Sequence, residues 1–258
     1  MKTIQTYYDQ PYLAELDATV ISVETKGGAA QVQLTMSCFY PSGGGQPSDV
    51  GEISGLNGKL RVEAVAYKDG EIVHIGKLFG SLKPGDPVHL QIKWSHRHNA
   101  MRNHTAGHAL HEAVLSLTDK MVPVKANHGS NCYLEYAGKF PVGVVEEVES
   151  RVNALIAQDL PVFMRESSLD EIKAKCRFVL PGLPTNKPLR TVQIGEDELV
   201  PCGGVHVRRL REIGRVILGD VKPDLKTGNT VVKYRITKAE DPASVVTAVE
   251  AICLGGPS

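Results

Sequence analysis

The hydrophobic pattern of this 258-residue chain changes at Trp94, and that change constrains the fold more than any other feature. Before Trp94, short runs rich in β-branched residues are separated by glycine and proline turns. The runs lie at 18–25, 29–40, 59–67, 71–76 and 86–94. Short strands at close, regular spacing are typical of small antiparallel barrels and sandwiches. Residues 1–92 are therefore predicted to form an N-terminal antiparallel β domain.

From Trp94 onward the pattern is a mixture of helices and strands. Helix-breaking residues are few over 94–117, and apolar residues recur there near helical spacing. Further helices are predicted at 142–160 and at 168–175, the latter opening on a capping box. Strands are predicted at 189–195, 215–220 and 231–237. The predicted fold class is therefore α+β, in which residues 93–258 form a second domain with helices packed on an antiparallel sheet.

Composition limits the setting of the protein without deciding its function. With 42% hydrophobic and 22% charged residues, the chain can bury a normal globular core. Basic and acidic residues are both 29, so net charge neither requires nor excludes a nucleic-acid partner. No apolar run is long enough to span a membrane, and the N-terminus is too polar for a signal peptide. The five cysteines are scattered and odd in number, which is unlike a secreted disulfide framework. A cytoplasmic protein without membrane association is expected.

Two pairs of metal-binding residues stand far apart in the predicted second domain. His104 and His108 are four residues apart on the long helix, so their side chains project from one face. Cys202 and His206 have the same spacing, but the two glycines between them favour a tight loop. Together the pairs would make a four-ligand nitrogen and sulfur set that suits Zn²⁺. Spacing alone does not show that the pairs meet, and two packed or surface histidines remain the alternative.

Three stretches together resemble a known family. They are NHTAGH (103–108), PCGGVHV (201–207) and FYPSGGGQPSDVG (39–51), and in combination they resemble the editing domain of alanyl-tRNA synthetase. They are most similar to its freestanding relatives, the medium-sized class of the AlaX family of alanyl-tRNA editing proteins. The resemblance implies an N-terminal β-barrel carrying the glycine-rich loop, followed by an α/β editing domain also found in threonyl-tRNA synthetase. It also implies one zinc ion per chain, held by the four residues named above.

The activity implied by the resemblance is hydrolysis of tRNA(Ala) wrongly charged with serine, and in some cases with glycine. Nothing in the chain resembles an adenylation domain or an ATP site, so editing is expected to act in trans and without ATP. Zinc would either activate water or, with all four protein ligands closed around it, only position the substrate. Two alternatives stay open: editing of another aminoacyl-tRNA, and a non-catalytic tRNA-binding module with structural zinc.

Selective hydrolysis of the seryl ester requires a polar partner for the serine hydroxyl, because alanine would leave that partner unpaired. Thr105, between the helical ligands, is the first candidate, although its hydroxyl could instead bond to its own helix backbone. Gln46 is the second candidate, although it could instead fix the turn of the glycine-rich loop. The resemblance places the substrate against a further group of residues. These are Gly43, Gly44, Gly45, Gly203, Gly204 and Val205.

Position 205 departs from the family pattern, which usually has threonine between the second glycine and the histidine of the loop. Val205 lacks that hydroxyl, so the choice between serine and glycine is in doubt. Serine is expected to be preferred through Thr105. The glycine run is not a phosphate-binding P-loop, since no Gly-Lys-Ser/Thr follows it.

Arginines near the two motifs are candidates for contacts with tRNA phosphates. Arg97 and Arg102 precede or overlap the histidine pair, and a cluster of arginines follows the loop. The cluster consists of Arg208, Arg209, Arg211 and Arg215. Such contacts would make binding salt-dependent. The alternative for the cluster is a solvated, charged strand edge.

Overall fold

In a computed structural model, the fold consists of a closed β-barrel followed by helices and two antiparallel sheets. The structure describes residues 2–26, 28–68, 70–118, 121–140, 143–179, 182–183 and 185–237. The end of the predicted second domain, 238–258, lies outside the described residues. Within the described ranges, no helix has both the length and the apolar character needed to cross a bilayer. The predicted α+β class is confirmed.

The elements follow one another in the order strands, helix, and then alternating strands and helices. The strands are β1 (Ile4–Gln5), β2 (Glu15–Lys26), β3 (Ala29–Leu34), β4 (Met36–Ser37), β5 (Gly51–Gly55), β6 (Gly58–Lys68), β7 (Glu71–Gly80), β8 (Pro87–Ile92), β9 (Pro123–Asn127), β10 (Tyr133–Tyr136), β11 (Val162–Ser167), β12 (Leu189–Ile194), β13 (Val200–Pro201), β14 (Val216–Pro223) and β15 (Thr230–Ile236). The helices are α1 (Trp94–Leu117), α2 (Val144–Ala157) and α3 (Leu169–Lys175), and short 3-10 turns lie at Thr6–Tyr8 and Leu210–Ile213.

The barrel is closed by six antiparallel strands in the order β2-β3-β7-β6-β5-β8, with β8 pairing back onto β2. Side chains alternate along the strands, as a half-buried sheet requires. In β8, for example, Val88, Leu90 and Ile92 are buried while their neighbours are exposed. The predicted N-terminal β domain is therefore a barrel rather than a sandwich, as the family resemblance implies.

The second part of the chain packs helices on a sheet. The four-stranded sheet has the order β14-β15-β10-β9, and α2 contacts both α1 and β14 while α1 also contacts β15. The smaller sheet, β11-β12-β13, ends at the loop that carries Cys202. Ser168 is the N-cap of helix α3, and its hydroxyl accepts from the Glu171 amide at 3.2 Å. The Glu171 carboxylate pairs with Arg165 instead of completing the predicted capping box.

A buried ion pair joins the barrel loop to the start of α1. Arg97 has no solvent exposure, and its guanidinium donates to the Asp49 carboxylate of the glycine-rich loop. It also donates to the carbonyl oxygens of Pro11 and Cys38, at 2.8 and 2.6 Å. These bonds hold the glycine-rich loop against the first turn of α1, and thereby over the face that carries the histidines.

Candidate metal centre and its cleft

The four predicted metal ligands lie together in the folded chain. Helix α1 supplies His104 and His108, and the loop after β13 supplies Cys202 and His206. One ligand atom from each residue lies within 4.8 Å of all the others. Cys202 Sγ is 3.5 Å from His104 Nε2 and 3.3 Å from His206 Nε2. The cluster could hold a metal ion, and no carboxylate is part of it.

The orientation of His104 is fixed by Gln46, which reaches it from the barrel loop. Gln46 Oε1 lies 2.8 Å from His104 Nδ1 and accepts from the Val205 amide at 3.1 Å. A backbone N–H can only donate, so the amide atom facing Val205 must be the oxygen. The same oxygen then accepts a hydrogen bond from the Nδ1–H of His104. His104 Nε2 is left with its lone pair toward the cluster, as a metal ligand requires.

Thr105 fixes His206 in the same way. Its hydroxyl, with no solvent exposure, donates to the Met101 carbonyl at 2.9 Å and accepts from the Val207 amide at 3.2 Å. The remaining lone pair faces His206 Nδ1 at 3.2 Å, so Nδ1 carries the proton and Nε2 is free for a metal. The predicted contact between Thr105 and serine is therefore wrong. The hydroxyl is already saturated within the protein, and Thr105 is a positioning residue.

Burial keeps the three imidazoles neutral. It is the main cause that lowers the pKa of His104 and His108 well below the ordinary value, with further lowering by neighbouring histidines. The pKa of His206 is lowered to about 3, again mainly by burial. Burial also raises the pKa of the Cys202 thiol to about 11. A bound cation would reverse that effect and favour the thiolate. Neutral imidazoles and a thiol open to deprotonation fit a Zn²⁺ ion.

The glycine-rich loop ends in a tight hairpin turn at residues 43–46. Gly43 and Gln46 exchange two backbone hydrogen bonds, at 3.1 and 2.9 Å, while Gly44 and Gly45 have φ angles of +57° and +79°. Two consecutive positive φ angles are the signature of a type I′ turn. The turn docks beside the end of β9, because the Gly45 carbonyl accepts at 2.8 Å from the amide of His128, the residue that follows this strand. It therefore delivers Gln46 to the metal ligands.

Three of the residues predicted to bind substrate pack closely against other parts of the protein. A Cβ on Gly45 would lie 2.6 Å from the Ala126 carbonyl oxygen, and one on Gly204 would lie 2.2 Å from the His104 ring. Both glycines are thus required for close approach. Val205 has no solvent exposure and belongs to the hydrophobic core. Gly204 and Val205 are buried, so for these two residues the prediction is wrong. Gly45 is exposed, and its contact with substrate stays a prediction.

A cleft of about 830 Å³ opens on Cys202. Gly43 and Gly44 line it from the barrel, and Gly203 lines it from the loop. Tyr40 joins the two sides, since its hydroxyl lies 3.3 Å from the carbonyl oxygens of both Gly43 and Gly203. The volume is within the usual range for small-molecule sites, which is about 300–1,000 Å³. Substrate contact by these three glycines stays a prediction.

Two of the predicted tRNA contacts are excluded by burial. Arg97 is enclosed in its bonds to the glycine-rich loop. Arg102 is buried and donates to the carbonyl oxygens of Glu212, Ile213 and Thr237, all at 2.6–2.7 Å. Both guanidinium groups satisfy backbone carbonyls inside the protein, so neither can contact a nucleic acid at the surface. Both predictions are wrong.

The arginines after the loop are exposed, and their contact with tRNA stays a prediction. The Arg208 guanidinium lies 4.3 Å from the centre of the Tyr12 ring. Arg209 and Arg211 both face Asp159, at 2.8 and 3.5 Å. Arg215 lies 3.6 Å from Glu149, and its side chain is 68% exposed. These arginines form a charged surface, which is compatible both with tRNA contact and with a solvated strand edge.

Two residues near the centre were missed by the sequence patterns. His128, between β9 and β10, stacks on His104 with ring centres 4.2 Å apart, and its Nδ1 lies 2.7 Å from the Tyr234 hydroxyl. Arg190, on β12, bonds through its carbonyl oxygen to the Cys202 amide at 2.9 Å. Neither residue has a fixed spacing to the ligands, because His128 comes from the connection between β9 and β10 and Arg190 from β12. His111, three residues after His108 on α1, lies outside the cluster, and its Nδ1 is 3.3 Å from the Tyr136 hydroxyl.

Comparison with known proteins agrees with this architecture. The family model described as tRNA synthetases class II (A) matches residues 7–96. The chain is 37% identical over 218 residues to Alanyl-tRNA editing protein AlaX-L of Pyrococcus horikoshii, which covers 81% of this chain and 52% of that protein. This chain belongs to the AlaX family.

Two further proteins that are similar to this chain are alanine–tRNA ligases. Alanine–tRNA ligase of Methanoculleus marisnigri is 32% identical over 224 residues, covering 84% of this chain and 24% of the ligase. Alanine–tRNA ligase of Pyrobaculum calidifontis is 28% identical over 276 residues, covering all of this chain and 30% of the ligase. The chain thus spans about half the length of the AlaX-L relative and a third or less of these ligases.

Proposed function

We propose that this chain is a zinc-dependent aminoacyl-tRNA deacylase that hydrolyses tRNA(Ala) mischarged with serine. The observation that carries the proposal is the ligand cluster, whose Cys202 lines a cleft formed from both parts of the chain. The barrel supplies the glycine turn and Gln46, and the second part of the chain supplies the ligands. A cleft that ends on a metal centre suits an ester at the end of a long substrate.

His104, His108, Cys202 and His206 would hold the zinc ion. When bound, zinc supplies Lewis-acid chemistry, by which it polarises an ester carbonyl and makes water more acidic. Gln46 and Thr105 hold the Nδ1 protons of two of these histidines, and so keep their Nε2 atoms directed at the centre. The cleft orients the ester, and the Tyr40 hydroxyl bridges its two walls beside Cys202.

Discrimination between serine and alanine requires an unsatisfied polar group in the site. Gln46 Nε2 is enclosed and has no hydrogen-bond partner among the described residues. An unpaired buried donor costs about 1–3 kcal/mol, so a substrate hydroxyl that accepted from it would be favoured by that amount. We assign the serine contact to Gln46 in place of Thr105, on the condition that the bound ester uncovers Nε2, which the protein covers in this structure. A glycyl ester lacks the hydroxyl and should be hydrolysed more slowly than a seryl ester.

The test is deacylation of tRNA(Ala) charged with serine, glycine or alanine, before and after removal of metal with a chelator. We expect serine to be hydrolysed fastest, loss of activity with the chelator, and recovery on addition of zinc. Gln46→Met should narrow the serine-to-alanine ratio of kcat/KM by about tenfold, which corresponds to 1.4 kcal/mol. The exposed Gln158→Met on the end of α2 is the matched control.

Metal analysis separates the remaining alternatives. Cys202→Ala and His108→Ala should each deplete zinc, and full zinc content in both would refute the ligand set. Zinc binding without hydrolysis of any ester would instead indicate a non-catalytic tRNA-binding module. Faster hydrolysis of a different mischarged tRNA would support a deacylase whose substrate is another aminoacyl-tRNA.

A further inference from the structure

Arg190 lies in the wall of the cleft beside the metal centre, and no role has yet been given to its guanidinium. Its backbone carbonyl accepts from the Cys202 amide at 2.9 Å, so the two residues are neighbours across β12 and the ligand loop. The side chain lines the cleft together with Tyr8 and Cys202.

The guanidinium is held by stacking on one face, and its Nη1 atom has no hydrogen-bond partner among the described residues. Its central carbon lies 4.0 Å from the centre of the Tyr8 ring, which stacks against one face. Nη2 donates to the Tyr8 carbonyl oxygen at 3.3 Å, and Nε is enclosed without a partner. No carboxylate of the described residues lies within ion-pair distance of Arg190, although Glu166 is its cross-strand neighbour. A guanidinium has five N–H donors, and the bond from Nη2 to Tyr8 is the one that these donors make within the described part of the chain.

An arginine with a free edge selects a planar or tetrahedral oxyanion that accepts two parallel hydrogen bonds. The cleft contains further positive charge at Lys2 and Lys187, against the carboxylates of Asp9 and Glu166. The ester at the metal centre would be attached to the ribose of the last nucleotide of the tRNA. The oxyanion nearest that ester is the phosphate on the 5′ side of the same ribose.

We propose that Arg190 binds the 5′ phosphate of the terminal nucleotide and so positions the ester at the metal centre. This inference rests on the proposed function and extends it by assigning a nucleotide subsite in the cleft. Arg190 is a positioning residue, so it should affect KM far more than kcat. The stacking on Tyr8 supports the assignment, because it fixes the guanidinium plane before the substrate arrives.

Binding of 5′-AMP and of adenosine to the zinc-loaded chain tests the subsite without any need for hydrolysis. The unchanged protein should bind 5′-AMP about tenfold more tightly than adenosine, as a charge-assisted hydrogen-bond pair predicts. Arg190→Gln should abolish that difference, Arg190→Lys should keep part of it, and Arg151→Gln, exposed on α2, should keep all of it. Inorganic phosphate should bind more weakly than 5′-AMP if the cleft recognises a nucleotide.

Hydrolysis of 3′-seryl-AMP and 3′-seryl-adenosine then links the subsite to the reaction. Arg190→Gln should raise the KM for 3′-seryl-AMP to that for 3′-seryl-adenosine, with kcat and zinc content unchanged. An equal loss on both substrates, or no loss, would overturn the inference while hydrolysis itself still supports the proposed function. Arg190-dependent binding of 5′-AMP without hydrolysis of either ester would leave the phosphate subsite standing and refute the proposed function.

Discussion

The Thr105 hydroxyl decides which nitrogen of His206 is free to bind a metal. Thr105→Val keeps the side-chain shape but removes the acceptor for His206 Nδ1 and for the Val207 amide. Loss of such an outer-shell partner is expected to weaken zinc binding by about 10–100-fold. Competition with a chromogenic chelator measures this change. Thr105→Ser keeps the hydroxyl and should restore most of the affinity. Equal zinc affinity in Thr105→Val and the unchanged protein would contradict a positioning role.

At the same scale, the sequence could predict the ligands but not their neighbours. His104 and His108 are related by the helical repeat, and Cys202 and His206 by a short loop, so spacing alone identifies each pair. The direction of Thr105 could not be predicted, because it depends on a loop about a hundred residues later that crosses α1 and offers Val207. For the same reason, no sequence pattern identified Arg190 as part of the site. Its importance comes from stacking on Tyr8, at the opposite end of the sequence.

At the scale of elements, the turn at 43–46 joins the barrel to β9. Substitution of its two central glycines by alanine should lower the free energy of unfolding by different amounts. Gly44→Ala places a side chain in open space at positive φ, which costs about 1–2 kcal/mol of unfolding free energy. Gly45→Ala adds a collision with the Ala126 backbone, which should cost about 1–3 kcal/mol more. Urea denaturation of the two variants measures the difference. Gly45→Ala should also reduce seryl ester hydrolysis, because the displaced turn carries Gln46. Equal stability of the two variants would show that the turn does not depend on contact with β9.

Element prediction succeeded where local pattern determines the structure. Helix α1 has the predicted bounds, since a long run without breakers needs little help from the rest of the chain. The strands β9 and β10 were not predicted. They are four or five residues long, and β10 is stabilised by pairing with β15 almost a hundred residues later. His128 lies between them, so the missed strands and the missed histidine have the same cause.

At the scale of the whole molecule, polar contacts from the N-terminal segment and barrel loop reach the second part of the chain. Gln46 reaches His104, Asp49 pairs with Arg97, and the Tyr12 hydroxyl donates to the Glu212 carboxylate at 2.6 Å. The first places a group in the metal centre, and the other two hold the surfaces around it. None of the three could be paired from sequence, because each joins segments whose separation has no local signature. They make the metal centre depend on correct docking of both parts.

The contact between Tyr12 and Glu212 should contribute to the stability of the fold in a way that depends on pH. Burial alone would raise the pKa of the Glu212 carboxyl, but hydrogen bonds from His98, Tyr12 and the backbone amides of Arg208 and Arg209 outweigh that effect and lower it to about 2. A carboxylate with a depressed folded-state pKa stabilises the fold fully above its unfolded-state pKa, which is about 4.3. That contribution is lost as pH falls toward the folded-state value. The stabilisation at neutral pH should be about 1–3 kcal/mol.

Glu212→Gln should therefore lower the free energy of unfolding by a constant amount above about pH 5. The gap between the two proteins should then shrink as pH falls from about 4 toward 2, because the carboxylate of the unchanged protein is progressively lost. Urea unfolding measured across that range gives the gap directly, and the exposed Glu63→Gln on β6 controls for removal of a charge. A gap that stayed constant down to pH 2 would mean that Glu212 acts through its shape and not its charge. A gap that closes would show that docking between the N-terminal segment and the metal-ligand loop is held in part by a single ionised carboxylate.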